Sequence, residues 1–405
     1  MKLQVLEDER FSCHSCTHCC RNWHVVLMPG EAERILKLAW GKDDPLSGAK
    51  VLLEHGGKTY TAHNKETGCV FLNLSNGRCR IHEQFGAAAK PLGCRVFPFQ
   101  ISETFAGEAS VVGRFDCPTV LQNLGELHSD QLGELRQYAA KMDLTGGFDE
   151  AARCHLDRAQ IEAVVEFLVM MLPGFSRDEE RAIFISLFCD WLSAMQSDEL
   201  DREVLGKMFL LLKEQIEAAM NLPIKRPGMV HRMAFRTLLG LYMRRDEDVL
   251  NHRAGRLGRT VALTNVVMGM GGFHKLGLSH RAGKLRRAKM FAGPMPHEPA
   301  TFQLFWRMIR TKLESFQFMG EGNNGRNFLD GLKSLALLYP LTLAVAKYSA
   351  ANRESSRIEA DDVDFAVAAI EHSFGRLAVL NQPFTRSLEK LLLEPRSFVN
   401  LVRSI

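Results

Sequence analysis

The chain has 405 residues, 46% of them hydrophobic, enough to bury one large core or two to three ordinary ones, which excludes a disordered protein. Fifty-one basic against 47 acidic residues leave a formal charge of +4, too mild to announce a nucleic-acid partner, so any basic surface must be local. The opening MKLQVLEDERF lacks the apolar stretch of a signal sequence, and the longest uncharged apolar run, Ser334 to Ala346, is too short to span a bilayer; the expectation is a cytoplasmic protein with no membrane partner.

The first chemical feature in chain order is FSCHSCTHCCRNW, residues 11 to 23, which holds four of the ten cysteines. Four more follow at 69, 79, 94 and 117, leaving Cys154 and Cys189, read as packing residues, for everything beyond. This distribution predicts an α+β protein in two parts: a small cysteine-rich metal-binding domain with short β-hairpins over 1–120, then a large all-α domain over 121–405. Disulfides belong to oxidising compartments and small secreted scaffolds, and neither is indicated. Cys13, Cys16 and Cys19 form C-x2-C-x2-C, a tight loop suited to three thiolates on one face of a [4Fe-4S] cluster; Cys117, followed by Pro118, matches the remote ligand of ferredoxin-type runs. Structural zinc prefers two close cysteine pairs, and only the first cluster offers such pairs, so iron with sulfide is favoured and zinc stays open.

The doublet Cys19-Cys20 raises its own question. Read as an extended segment, it turns neighbouring side chains to opposite faces, so the two would serve two sites, or one site with Cys20 packed behind it as a small hydrophobe. Eight cysteines would fill two four-ligand sites. Arg21, Arg80 and Arg95 each follow a cysteine directly and Arg114 precedes Cys117 by three, an arrangement that would offset thiolate charge. Histidines 14 and 18 lie within the loop and are left out of the ligand set.

Next, Leu27 to Trp40 reads as a helix, with Pro29 near its start, Glu31 and Glu33 in its first turn and an apolar side of Ile35, Leu36 and Leu38. Val51 to Ala62 reads as a hairpin about Gly56-Gly57, and Val70 to His82 as a second about Asn76-Gly77, with Cys79 opposite Leu74. In KPLGCRVFPF, Pro91 and Pro98 bracket Cys94 and exclude a continuous helix, leaving a loop fixed on both sides.

From about residue 118 the pattern is helical throughout. Asp157 with Gln160 and Ser176 with Glu179 have capping-box spacing ahead of Ile161 to Leu172 and Ile183 to Met195, with Pro173-Gly174 between. Further helical runs cover 199–221, 229–245, 299–318, 327–350, 359–374 and 385–403. Phe302, Phe305, Trp306, Ile309 and Leu313 recur at helical spacing and read as core. Between Arg253 and Lys289 stand nine Lys or Arg and no Asp or Glu, with GMGGF at 269–273; the segment reads as solvated surface, with an acidic protein, nucleic-acid phosphate or an anionic cofactor as the less favoured partner.

CHSCTHCC, GCVFLNLSNGRCRIHEQFG and KPLGCRVFPF together resemble, in order, the CxxCxxCC, CxFL, CxI and RPxxCRxFP blocks of the YkgJ-type cysteine-cluster family, described as a zinc- or iron-chelating domain. The resemblance spans residues 11 to 120. Lys90 stands where that family usually has arginine, and the stretch from Cys79 to Pro91 is longer than in its shortest members. It implies Cys13, Cys16, Cys19, Cys20, Cys69, Cys79 and Cys94 as ligands, to which the spacing and Cys-Pro context add Cys117. A more distant resemblance, to the flagellin lysine N-methylase group, implies transfer of methyl groups from S-adenosylmethionine to protein lysines; here C-x2-C-x2-C differs from the C-x3-C-x2-C loop of radical S-adenosylmethionine enzymes.

Three functions follow in order of preference. The first is an iron-sulfur protein whose helical domain contacts a protein partner or protein substrate. The second is an S-adenosylmethionine-dependent protein lysine N-methyltransferase, and the third a zinc-stabilised module binding through the basic segment. No Ser-His-Asp set, HExxH, P-loop or paired carboxylate can be assigned, so no catalytic residue is named.

Overall fold

The computed structural model describes residues 2–64, 66–142, 144, 154–195, 200–243, 264, 267, 268, 290, 291 and 293–405. The architecture is α+β, with short strands, among the described residues, confined to the first 127 and helices dominating the rest. The basic segment 253–289 lies almost wholly outside the described residues.

In the cysteine-rich part the elements are β1 (Lys2–Val5), β2 (Arg10–Phe11), α1 (His18–Asn22), α2 (Glu31–Leu36), β3 (Leu52–His55), β4 (Lys58–Thr61), β5 (His63–Asn64), β6 (Gly68–Cys69), α3 (Arg80–Phe85), α4 (Leu92–Val96), β7 (Phe99–Glu103) and β8 (Glu108–Gly113). Strand β8 is central in a three-stranded sheet: β1 runs parallel to it, Lys2 beside Glu108, and β7 antiparallel, Phe99 beside Gly113. The hairpin about Gly56-Gly57 forms as read, with Leu52 opposite Thr61. The helix expected over 27–40 shortens to α2.

Two local expectations are corrected. Residues 70–82 do not make a ladder about Asn76-Gly77: Cys79 pairs with Leu72, not Leu74, in an isolated bridge, and α3 starts at once. The Asn73 carboxamide accepts from the Ser75 amide (3.2 Å) and that of Asn76 from the Arg78 amide (3.0 Å), so side chains turn the backbone where a ladder would otherwise extend. The Cys94 segment is likewise not a plain loop: Pro91 leads into the single turn of α4, which carries Cys94, and the extended backbone before Pro98 ends it.

Beyond Gly113 come α5 (Pro118–Leu121), β9 (Glu126–Leu127), α6 (Leu132–Ala139), α7 (Arg158–Met171), α8 (Asp178–Ala194), α9 (Arg202–Met220), α10 (Met229–Tyr242), α11 (Gln303–Glu314), α12 (Phe328–Asn352), α13 (Ala360–Ser373), α14 (Pro383–Leu392) and α15 (Pro395–Ser404). Among the described residues one strand therefore interrupts the helical pattern, β9, pairing with β2. The Asp157–Gln160 capping box is present in both directions. The second box sits one residue later than expected: Glu180, not Glu179, accepts from the Arg177 amide at 3.2 Å. The run 385–403 divides in two because Pro395 has no amide to continue a helix, and Glu394 caps the new start by accepting from the Ser397 amide at 2.9 Å.

Helix α12, 25 residues, is long and apolar enough to cross a membrane by length and composition, but 83% of its apolar window is buried against neighbours such as α8 and α13. The run Ser334 to Ala346 lies inside it. Its flanking lysines turn inward: Lys333 pairs with Asp190, and Lys347 donates to the carbonyls of Met290 (3.1 Å), Gly293 (2.7 Å) and Ile405. Burial draws the Lys347 ammonium down to about 8. Phe302, Phe305, Ile309 and Leu313 are buried as expected, with Trp306 packed against them and its indole donating to Asp178 at 2.6 Å. Cys189 is buried in this core and Cys154 packs at its margin. Phe105, Phe115, Cys117 and Val120 belong to the same cluster, so the largest core runs across residue 120.

Candidate metal centre

The loop that presents the first cysteines owes its shape to two residues in the left-handed region, Ser15 (φ 57°) and Thr17 (φ 63°), which alternate with Cys16 and fold Cys13, Cys16 and Cys19 around a short arc. For β-branched threonine this conformation is unfavourable and persists only where the surroundings impose it. The surroundings are two glycines. A Cβ on Gly77 would stand 2.7 Å from the Ser15 carbonyl oxygen, and one on Gly68 would stand 2.6 Å from the Cys20 carbonyl oxygen, so no other residue lets the 68–79 segment approach this closely.

Cys19 and Cys20 are corrected from the extended reading: both lie in α1, and their Sγ atoms are 3.9 Å apart. Successive helical residues are separated by about a hundred degrees, not by a half-turn, so both thiols reach one cavity.

Cys69 is held in β6 opposite His63, and Cys79 precedes α3, whose Arg80 is paired with Asp44 at 3.6 Å. Cys94 is positioned from outside its own segment. The Glu31 carboxylate accepts from the Leu92 amide at 2.8 Å, while Arg34 donates to the carbonyls of Ala88 (2.8 Å) and Lys90 (3.2 Å) and to Glu31 itself at 3.1 Å. Of the two acidic residues in the first turn of α2, Glu31 is thus the clamp on the Cys94 turn.

Cys117 closes the far side. Its neighbour Asp116 is fully buried and is met by Arg114, by His372 Nδ1 at 3.0 Å and by Arg376 at 3.9 Å. Burial opposes ionisation, yet these groups hold the carboxyl well below its ordinary range. The Arg114 guanidinium also lies 5.0 Å from the Trp23 ring centroid and 5.2 Å from that of Phe97.

All eight predicted cysteines, 13, 16, 19, 20, 69, 79, 94 and 117, line one cavity of about 900 Å³. Among the described residues no three His, Cys, Asp or Glu side chains are gathered closely enough to hold a single metal ion. The lining also includes His14, His24 and His82, outside the expected ligand set, and the cations Arg78, Lys90, Arg95 and Arg114. Arg21 instead donates to Thr17 Oγ1 at 3.0 Å.

Burial raises the thiols of Cys69, to about 12, of Cys117, to about 11, and of Cys79 and Cys94. Cys19 and Cys20 diverge through their mutual hydrogen bond, which raises Cys19 and lowers Cys20; burial opposes the second effect and Lys90 assists it. The raised thiols are therefore weak ligands until a cation displaces their protons, which is how a metal site behaves before loading. The donor set, thiols ringed by fixed cations, fits zinc or iron chemistry.

Lys90 and the Asp116–His372 contact are what sequence reasoning missed as parts of this site. Lys90 was visible only as a departure from a family pattern, and His372 lies 256 residues from its partner, with no local signal.

Residues 12–112 match the CxxCxxCC family model, described as "Putative zinc- or iron-chelating domain". A 109-residue stretch, 26% of this chain, is 28% identical to an uncharacterized protein of Methanocaldococcus jannaschii, and covers 36% of that protein's length. No solved structure matches.

Proposed function

We propose that this chain is a cytoplasmic iron-sulfur protein, its cavity thiolates holding a [4Fe-4S] cluster and its helical body contacting a protein partner or substrate. The observation that carries this reading is the spread of eight thiols around one cavity, with no three gathered about a single point. A lone tetrahedral ion with sulfurs about 2.3 Å away holds them about 3.8 Å from one another, whereas each thiolate of a cluster binds its own iron. Such a cluster, when bound, supplies one-electron transfer. The chain's own residues hold it: Cys13, Cys16 and Cys19 bind from the loop, the Glu31–Arg34 clamp orients the Cys94 turn, and Lys90, Arg95 and Arg114 offset thiolate charge. For a partner, the exposed Leu210, Leu222, Ile224, Met229 and Val230 on and between α9 and α10 provide apolar contact area.

Zinc has one specific observation in its favour. The 3.9 Å between the Cys19 and Cys20 sulfurs matches one edge of a tetrahedral zinc–thiolate site. Iron, zinc and acid-labile sulfide content after anaerobic purification separates the two. Iron with an equal amount of sulfide is expected; zinc without sulfide would overturn the cluster reading.

A further inference from the structure

We infer that the cavity holds two centres, not one, with disjoint ligand sets: Cys13, Cys16, Cys19 and Cys117 in the first, and Cys20, Cys69, Cys79 and Cys94 in the second. The inference rests on the metal–thiolate reading above and goes beyond it in assigning each cysteine.

Three observations converge on the division. The first is backbone placement. The arc 13–19 is shaped by its own left-handed residues, while the carbonyl of Cys20 is pressed against Gly68, the residue before Cys69, so Cys20 is docked on the segment that carries the distant cysteines. The second is the pattern of electrostatic neighbours. The thiols acting on Cys19 are Cys20, Cys13 and Cys16, and the thiol acting on Cys117 is Cys16. Those acting on Cys94 are Cys69, Cys79 and Cys20; on Cys69, Cys20 and Cys79; and on Cys79, Cys20. The two sets meet at Cys19 and Cys20, the one pair joined by a direct contact.

The third observation is the position of the cations. Lys90 acts on Cys20, Cys79 and Cys94, members of the second set. Cys117 instead adjoins the Asp116 carboxylate, whose charge is compensated by Arg114, Arg376 and His372 on the side of the helical core. One basic group serves one set and a separate network borders the other, so the residual negative charge of each thiolate-ligated centre is offset from a different side. The doublet then has a physical role: adjacent residues of α1 deliver one ligand to each centre, so a single peptide unit links them.

The test uses the full chain purified anaerobically, with iron, zinc and sulfide counted per protein and electron paramagnetic resonance recorded after reduction. Two [4Fe-4S] centres predict about eight iron and eight sulfide per chain, and a reduced spectrum broadened by coupling between neighbouring clusters. Half of that content in the unaltered protein, with an uncoupled spectrum, would overturn the inference and leave the cluster reading intact. Cys16→Ser and Cys117→Ala should each remove half of the metal, and Cys20→Ala and Cys94→Ser should each remove the other half, helical content by circular dichroism being unchanged. If Cys20→Ala spared what Cys94→Ser spares while Cys20→Ala combined with Cys16→Ser lost everything, the sets stand; if Cys20→Ala and Cys16→Ser removed the same half, the division is wrong. Zinc without sulfide, lost in the same two halves, would overturn the iron-sulfur reading and keep the two centres. Absence of any bound metal would overturn both.

Discussion

At the level of single residues, His128 shows how a group far from any recognisable motif can control behaviour. It is fully buried beside Phe99, and among the described residues neither ring nitrogen meets a hydrogen-bond partner. Burial, opposed by Glu9 and assisted by Arg307, holds its pKa down to about 4. A histidine whose folded pKa is depressed contributes stability that is present above the unfolded value near 6.5 and lost as pH falls through 4. The loss between pH 7 and 5 amounts to about 2 kcal/mol for this one group. His128→Leu should therefore shrink the drop in melting temperature between those two pH values, whatever it does to the absolute stability. An unchanged drop would show that other groups govern acid sensitivity. The eight cysteines were legible as individual residues because thiol chemistry is carried by residue type; the burial that decides His128 is not.

Among elements, the clamp between α2 and the Cys94 turn is the clearest case of one segment setting another's geometry. Glu31 accepts from the Met28 amide (3.0 Å) and the Leu92 amide (2.8 Å), so the carboxylate caps its own helix start and fixes a turn 61 residues away. Glu31→Ala leaves the buried Leu92 amide without its acceptor, at a cost of about 1–3 kcal/mol. We expect a correspondingly lower melting temperature and faster loss of bound metal to a chelator; metal retention equal to that of the unaltered chain would mean that the turn holds Cys94 unaided. The existence of most elements was readable in advance, from the glycine pair at 56–57, the Asp157–Gln160 box and the apolar periodicity of the helices. The errors cluster where side chains compete with backbone pairing: Asn73 and Asn76 replaced a ladder with turns, Glu180 displaced the cap from Ser176, and Pro395 divided a helix.

For the molecule as a whole, the cysteine-bearing part is built onto the helical part. Arg307 of α11 donates to Glu9 (2.5 and 3.0 Å), to the carbonyls of Val120 (3.0 Å) and Leu121 (3.1 Å) and to Asn123 (3.0 Å), and Gln317 reaches the Gln100 carbonyl at 3.1 Å. Phe115 and Val120 are buried in the same core as Phe305 and Ile309. A chain ending at residue 120 would expose these side chains and leave Glu9 and Asp116 without their cationic or imidazole partners from the helices, Arg307, His372 and Arg376. Such a fragment should lack a cooperative thermal transition and be cleaved rapidly by protease; a sharp transition would instead establish 1–120 as an independent domain. What the sequence by itself determined is the chemical character of this protein: eight thiols in its first 117 residues, a loop spacing suited to a shared metal group, and a largely helical remainder, since these depend on residue type and short-range periodicity. Only the tertiary structure decided which thiols are neighbours, that Cys20 docks on the segment of Cys69, that Lys90 lines the cavity beside the cysteines and that His372 meets Asp116, next to Cys117. Those relations arise from packing between segments distant along the chain, where no local spacing carries the contact.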